Sequence, residues 1–217
     1  MRFLLFLSPF LANIHSHDKM KTSIPTVGGC SQHERSADLL RPGKTNHHGL
    51  LLRMLPKPPE EAKAIFIPTA ANSPDAIDVL PKCLNDLLKC GFRRENILVY
   101  DLHRPMGEDD CRGYDVVYLC GGSPAYLMQR VNEAGFDRTL HAFIRRGGVV
   151  LGVSAGSMIF ADCMPDNLGY LDCPLHVHSS EADRAQPGCY PRDRREILRL
   201  GNRQGLYFDQ HDMIVFE

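Results

Sequence analysis

A β-branched apolar run that leads directly into Gly-x-Ser-x-Gly constrains the fold of this chain more than any other feature. It lies within residues 147–160, which read GGVVLGVSAGSMIF. A short continuous apolar run is typical of a strand buried on both faces, and the apolar segment after the glycines favours a helix. A strand, a sharp turn and a helix in this order form a nucleophile elbow. The pattern therefore predicts Ser154 at the tip of the turn, with Gly152 and Gly156 allowing neighbouring backbones to approach.

Strand-like and helix-like segments alternate along the chain before that turn. The predicted strands are residues 23–27, 64–71, 97–102, 115–120 and the run before Ser154, and the predicted helices are residues 74–90, 125–131 and 136–146. This alternation predicts an α/β fold, a three-layer sandwich whose mostly parallel sheet carries helices on both faces. Ligands of such sheets bind beyond the carboxyl ends of the strands, where the glycine turns at 121–122 and 152–156 lie. A charged helix over 192–200 and a hairpin over 206–217 complete the prediction.

The composition describes one ordinary globular domain without a strong charge. The chain has 217 residues, of which 43% are hydrophobic and 24% are charged, and its net charge is −1. Proteins that bind nucleic acid or anionic membranes through general electrostatics carry a basic surface, so we expect neither partner. A small molecule or a small peptide is the expected ligand, and a homodimer stays open.

Eight cysteines and ten histidines raise the questions of disulfides and of a metal site. The cysteines are residues 30, 83, 90, 111, 120, 163, 173 and 189. They form no Cys-x-x-Cys pair, and a chain of this length does not need disulfides to fold, so we expect reduced thiols in a cytoplasmic protein. The histidine pairs 15/17 and 47/48 lie in polar stretches without a matching set of cysteines and histidines. We therefore predict no metal site.

Residues 1–19 precede the predicted domain and have two interpretations. One charge followed by a short apolar run, MRFLLFLSPFLA, resembles a weak secretory signal and is too short to span a bilayer as a helix. Alternatively, the protein starts at Met20, because the segment from there to Gly29 has the pattern of a first strand. We favour a domain over residues 20–217, with residues 1–19 as an extension or signal-like segment, because reduced thiols indicate the cytoplasm.

Two histidines downstream of Ser154 could serve as its base. A serine nucleophile needs a base within hydrogen-bond distance and an acidic group that orients the base. His178 lies 24 residues after the serine, at the end of an apolar stretch that we expect to run back along the sheet. His176 shares a face with His178 in an extended segment and stays a rival.

Five motifs together resemble the peptidase E (aspartyl dipeptidase) family of serine peptidases, which are relatives of the cyanophycinases. The motifs are the IPTA of residues 67–70, the VYLCGG of residues 117–122, the GVSAGS of residues 152–157, the LGYL of residues 168–171 and the downstream His178. The resemblance extends from about residue 22 to the C-terminal end. It implies a flavodoxin-like, class I glutamine amidotransferase-like fold. It also implies a serine-type hydrolysis of small peptides, among them dipeptides with N-terminal Asp, that needs no cofactor.

The resemblance assigns roles to individual residues. Ser154 matches the nucleophile, His178 matches the general base, and the backbone amides of Gly122 and Ala155 match the oxyanion hole. Two amides at adjacent strand ends, aimed at one developing negative charge, stabilise the transition state strongly in a dry site. One departure from the family pattern is Ser123, which stands where a third glycine is often found.

The acid of the family's catalytic triad and its substrate-binding arginine each match more than one residue of this sequence. The interval before the histidine is shorter than in the family, so the resemblance leaves two candidates for the acid, Asp166 first and Asp162 second. An arginine after the histidine binds the acidic side chain of the substrate, and Arg192, Arg194 and Arg195 lie in that region. A guanidinium group suits a carboxylate. The alternative is that this Arg-Asp-Arg-Arg-Glu run is a solvated helix face.

Three other functions share parts of this pattern. A glutamine amidotransferase-like domain that binds a small ligand or a partner would keep the fold, with its triad impaired by the short segment 160–178. An α/β-hydrolase shares Gly-x-Ser-x-Gly but places several strands between the serine and the histidine, for which 24 residues leave no room. A true glutamine amidotransferase would have a cysteine in place of Ser154. The binding domain is the alternative that stays open.

Overall fold

Apolar strands form a mainly parallel sheet at the centre of the fold. The computed structural model describes residues 2–6, 47–182, 197–201, 204–209 and 213–216. Its strands are β1 (Arg2–Phe6), β2 (Ala64–Ile67), β3 (Ile97–Val99), β4 (Val116–Leu119), β5 (Val149–Val153), β6 (Leu175–His176), β7 (Leu198–Arg199), β8 (Gly205–Asp209) and β9 (Met213–Phe216). Seven of these described strands form one sheet in the order β3-β2-β4-β5-β1-β8-β9. The pairs from β3 to β1 are parallel, and those from β1 to β9 are antiparallel.

Helices cover both faces of this sheet. They are α1 (His47–Met54), α2 (Pro74–Lys89), α3 (Pro124–Glu133), α4 (Phe136–Arg145) and the short α5 (Ala155–Met158). Successive strand residues face opposite sides, so in β2 Ile65 packs in a buried cluster with α3 and α4, whereas Phe66 packs in a second cluster with α1 and α2. The predicted three-layer α/β sandwich is confirmed. Along the described part of the chain, no helix combines the length and the apolar character that a membrane crossing requires.

The crossover helix α2 begins and ends where its sequence indicates. Pro74 lies in the first turn, where its missing amide hydrogen costs no hydrogen bond, and Asp75 complements the positive end of the helix dipole. The helix ends at Lys89, and Gly91 follows at φ +97°, a left-handed conformation that suits glycine. The inner face of α2 buries Asp86, and desolvation raises the pKa of that carboxyl group to about 7.

Most elements predicted from the sequence are confirmed. Strands β2 to β5, helices α2 to α4 and the terminal hairpin of β8 and β9 overlap their predicted segments. The predicted strand 23–27 and residues 192–196 of the predicted charged helix lie outside the described residues. At residues 198–199 the helix prediction is wrong, because this segment is extended as β7 and pairs with β6 in a separate two-stranded sheet.

Residues 2–6 form a strand inside the main sheet. β1 pairs parallel with β5 from Arg2 opposite Val149 to Phe6 opposite Val153, and antiparallel with β8. The sequence pattern predicts an extension or signal-like segment here, before a domain over 20–217. In the structure these residues belong to the sheet that carries Ser154, and the apolar run that resembled a signal also suits a strand between two neighbours. Where the domain begins stays a prediction.

Gly156 lies against β4, so a side chain at this position is expected to destabilise the fold. A Cβ there would lie 2.3 Å from the carbonyl oxygen of Leu119. We expect Gly156→Ala to lower the free energy of unfolding by about 1–3 kcal/mol, the usual cost of overpacking. Gly107→Ala is the control, because its Cβ would meet only Asp110, at 3.6 Å. Urea denaturation compares the two variants, and equal stability of both would contradict the expectation.

The burial of Asp86 is expected to make stability depend on pH. Its folded-state pKa of about 7 lies above the usual value of 3.8, so the folded state binds this proton more tightly than the unfolded chain. Stability therefore falls as the pH rises from about 4 to about 7. Asp86→Asn removes this titration, and its free energy of unfolding should decline less than that of the wild type between pH 5 and pH 8, by about 1–3 kcal/mol.

The control for that pH experiment is Asp75→Asn, on the exposed first turn of the same helix. Denaturant unfolding at several pH values gives the profiles. The profile of the Asp86 variant should be flatter than those of the wild type and of the Asp75 variant. Superimposable profiles for the wild type and the Asp86 variant would show that this carboxyl group does not set the pH dependence.

Candidate active site

Ser154 lies at the tip of the turn between β5 and α5, where the sequence predicts it. Its backbone has φ 50° and ψ −109°, so a residue other than glycine adopts a positive φ. Such conformations cost on the order of 1–3 kcal/mol and persist where the surrounding structure holds them. The side chain is half-buried. The turn therefore presents the hydroxyl at the carboxyl edge of the sheet at an energetic cost.

Close packing between the ends of β4 and β5 leaves little room around this serine. A Cβ on Gly121, just after β4, would lie 3.3 Å from the Cβ of Ser154. A Cβ on Gly156 would collide with the backbone of Leu119, the last residue of β4. The predicted reason for Gly156 in the motif is confirmed. The turn after β4 and the start of α5 thus enclose Ser154 from two sides.

The turn after β4 also packs against the turn after β2. Gly122 has φ 141°, and a Cβ there would lie 1.9 Å from the carbonyl oxygen of Ala70. The amide of Ser123 donates a hydrogen bond of 2.8 Å to the same carbonyl. The amides of Gly122 and Ala155, which the resemblance assigns to an oxyanion hole, donate no backbone hydrogen bond to any described residue.

His178 is the histidine that the structure brings to Ser154. The distance from Ser154 Oγ to His178 Nε2 is 2.9 Å. His178 itself has φ 58°, a second strained position in the same site. His176 lies on β6, opposite Arg199. The hydrogen bond therefore distinguishes between the two histidines that the sequence left as rivals.

Backbone contacts outside the main sheet hold the segment that carries His178. The amide of Ser179 donates to the carbonyl of Leu200 at 2.9 Å, and the amide of Leu200 donates to the carbonyl of His176 at 2.9 Å. The expectation that this stretch runs back along the sheet is wrong, because β6 pairs with β7. A two-residue strand has few ladder hydrogen bonds of its own, so this segment depends on its neighbours.

Cys163 supplies one such contact, which the sequence analysis did not identify. Its Sγ lies 3.0 Å from the carbonyl oxygen and 3.1 Å from the amide nitrogen of Leu175, so the thiol both donates and accepts. Burial raises the pKa of this thiol, which keeps it protonated and able to donate. The contact ties the loop after α5 to the strand that leads to His178. A lone cysteine in a loop gives no sequence signal for such a role.

The structure gives Asp166 a different partner from the one predicted. Its carboxylate accepts a hydrogen bond of 2.5 Å from Asn132 Nδ2 at the end of α3, and among the described contacts it has no hydrogen bond or ion pair with His178. The amide of Leu168 donates to the carbonyl of Ile159, which folds the segment back on itself. Asp166 therefore lies on a groove beside α3 and α4, whose lining includes neither Ser154 nor His178.

Asp162 lies one residue before the thiol that contacts β6. Its Oδ1 is 3.5 Å from Asn167 Nδ2. Because Cys163 contacts Leu175, this part of the loop runs beside the strand that precedes His178. Asp162 is thus adjacent in sequence to a residue that contacts the histidine segment.

Three further predictions concern the arginines, a metal site and the cysteines. Arg192, Arg194 and Arg195 lie outside the described residues. Among the residues that the structure describes, no group of three or more His, Cys, Asp or Glu side chains could hold a metal ion. The described cysteines, residues 83, 90, 111, 120, 163 and 173, are all free thiols.

The contact of Cys163 leads to a prediction about activity. Cys163→Val removes the donor and the acceptor while it keeps a small apolar side chain, so the histidine segment should shift. We expect phosphonylation of Ser154 by a fluorophosphonate probe to slow by about 10-fold, since sub-ångström to ångström shifts of a catalytic group are costly. Cys163→Ser keeps both hydrogen bonds and serves as the control. Equal labelling rates in the two variants would contradict this role.

Comparison with known proteins gives the family. The model of peptidase family S51 matches residues 40–180, more than half of the chain. The crystal structure of a putative peptidase E protein from Listeria monocytogenes EGD-e has a TM-score of 0.59 and 18% identity, and the match covers 78% of this chain and 92% of that one. The crystal structure of a peptidase from an acI-B1 Actinobacterium has a TM-score of 0.58 and 14% identity, over 99% of this chain and 86% of that one. No curated protein sequence matches at a significant level.

The family match and the structural matches support one assignment. At such low identities the two crystal structures show the fold alone, and that fold is the α/β architecture described above. The family match includes the segments that carry Ser154 and His178. The chain belongs to peptidase family S51, and it is a serine peptidase.

Proposed function

We propose that this peptidase hydrolyses small peptides through an acyl-enzyme on Ser154, with His178 as general base and then general acid. The observation that carries the proposal is the 2.9 Å contact between Ser154 Oγ and His178 Nε2 at the tip of a strained turn. A nucleophile and a base within hydrogen-bond distance are the minimum that serine chemistry requires. Their position at the carboxyl edge of a parallel sheet is where ligands of such folds bind.

The proposed reaction has two halves. Ser154 Oγ attacks the carbonyl carbon of the scissile bond while His178 Nε2 takes the hydroxyl proton. The C–N bond then breaks, and the amine leaves with the proton from His178. A water molecule attacks the resulting ester, His178 takes one of its protons, and that proton returns to Ser154 Oγ as the carboxylic acid product leaves. No cofactor takes part in this scheme.

The negative charge of each tetrahedral intermediate needs donors that are already in place. We assign these donors to the backbone amides of Gly122 and Ala155. They follow adjacent strands, β4 and β5, and neither amide donates to another backbone group among the described residues. Gly122 packs closely against the backbone of Ala70, and the amide of the next residue, Ser123, donates to the Ala70 carbonyl, so the turn that carries the first amide is held in place. Preorganised amides of this kind contribute about 3–4 kcal/mol each to transition-state stabilisation.

Base catalysis requires His178 Nε2 to accept a proton, so Nδ1 must carry the other one and needs an acceptor. We propose Asp162 as that acceptor in preference to Asp166. Asp166 accepts a hydrogen bond from Asn132, whereas Asp162 directly precedes Cys163, whose thiol contacts the strand that leads to His178. This reverses the order of preference that the sequence suggested.

The substrate class follows from the family resemblance and is part of the proposal. We propose dipeptides with N-terminal Asp as substrates. The guanidinium group of Arg192 or Arg194 would bind the side-chain carboxylate of that Asp through two parallel hydrogen bonds. The near-neutral net charge supports a small peptide rather than a nucleic acid or an anionic membrane as the partner. A cytoplasmic location fits the free thiols.

Active-site labelling tests the proposed nucleophile and base. The wild type should react with a fluorophosphonate probe at Ser154, and Ser154→Ala should abolish the reaction. His178→Ala should slow it by about 1000-fold or more, because the hydroxyl then has no base. His176→Ala is the matched control and should label like the wild type. An unlabelled, folded wild-type protein would contradict the peptidase mechanism and favour a ligand-binding domain.

A pair of carboxamide variants tests the acid. Asp162→Asn should lower kcat by about 100- to 10,000-fold, because the amide cannot accept the proton of His178 and stabilise the imidazolium. Asp166→Asn should leave kcat within about 2-fold of the wild type, since its partner is a surface asparagine. Hydrolysis of Asp-containing dipeptides gives both values. The opposite order of effects would restore Asp166 as the acid.

A further inference from the structure

The carbonyl of Ser154 accepts three hydrogen bonds. The amides of Ser157 and Met158 donate to its oxygen at 2.9 and 3.1 Å. The hydroxyl of Ser157 donates to the same oxygen at 2.5 Å. The side-chain donor therefore adds to the two backbone donors at the start of α5.

The Ser157 side chain is fixed in place. It is 1% exposed, so the packing around α5 excludes water from its hydroxyl. A buried hydroxyl must find an acceptor, and bonding to the carbonyl three residues earlier is a common solution for serine in a helix. Here the acceptor belongs to the residue with the strained backbone at φ 50°, ψ −109°. The bond therefore restrains the peptide plane that sets the direction of the Ser154 side chain.

Helix α5 offers few other restraints. It has four residues, so it cannot supply the long ladder of hydrogen bonds that stabilises a typical helix start. Strain of about 1–3 kcal/mol would relax if the surroundings allowed it. Such relaxation would rotate Ser154 Oγ away from His178 Nε2, from which it now lies 2.9 Å.

We propose that Ser157 is a positioning residue, whose hydroxyl holds Ser154 in the strained conformation that reacts. This inference rests on the proposed role of Ser154 as the nucleophile. Ser157 touches no reacting atom in this account and acts through the carbonyl of Ser154. Its loss should therefore slow the chemical steps and leave substrate binding nearly unchanged.

The test compares Ser157→Ala with Thr139→Val. Thr139 is a matched control, because its buried hydroxyl also donates to a backbone carbonyl, that of Met106 at 2.7 Å, but on α4. Both variants should lose similar thermal stability. Ser157→Ala alone should lower kcat and the maximal rate of fluorophosphonate labelling by about 10- to 100-fold, with KM within about 2-fold of the wild type.

Two conservative variants complete the experiment. Ser157→Thr retains the donor and should recover most of the lost kcat, and Ser157→Cys, with similar volume and a weaker donor, should be intermediate. If Ser157→Ala does not fold, the Cys variant decides, and wild-type kcat in that variant overturns the proposal. Equal kcat in Ser157→Ala and Thr139→Val, or a loss confined to KM, would also overturn it. A wild type that does not label at Ser154 refutes the nucleophile itself, which is a separate outcome.

Discussion

The strained backbone of Ser154 is the constraint on which the rest of the site depends. A serine at φ 50°, ψ −109° is stable only where its neighbours leave no better conformation. Those neighbours are the glycines that let β4 approach β5 and α5, since any Cβ on Gly156 would meet the backbone of Leu119 at 2.3 Å. The parallel sheet, buried on both faces, provides the rigid support for this contact. The cost of the turn is offset by the stability of the core around it.

The histidine half of the site is built differently. His178 is held by a two-residue strand, by backbone hydrogen bonds to Leu200 and by the thiol of Cys163. These contacts are local and few compared with those of the main sheet. Because opening free energies follow the number of such contacts, the serine half is expected to be more rigid than the histidine half. The 2.9 Å contact between Ser154 Oγ and His178 Nε2 thus joins the more rigid turn after β5 to the less constrained segment after β6.

The sequence predicts Ser154 from local signals and His178 from the family resemblance, but it does not predict the contacts that hold the histidine segment. Continuous apolar runs, helical spacing and glycines at a sharp turn are local signals, and they predict the sheet, the helices and the position of Ser154. The choice between His176 and His178, the partner of Asp166 and the role of Cys163 depend on how a loop of irregular backbone folds back. No periodicity encodes such a path. The strand formed by residues 2–6 was missed because an apolar run at an N-terminal end has the same composition as a signal segment.

A crystal structure of the fluorophosphonate adduct would show whether Ser154 reacts with both amides in position. We predict a phosphorus–oxygen bond to Ser154 Oγ, with the phosphoryl oxygen within about 3 Å of the amide nitrogens of Gly122 and Ala155. We also predict His178 Nε2 within hydrogen-bond distance of the leaving-group position. An adduct on another residue, or a phosphoryl oxygen that points to solvent away from both amides, would contradict this prediction.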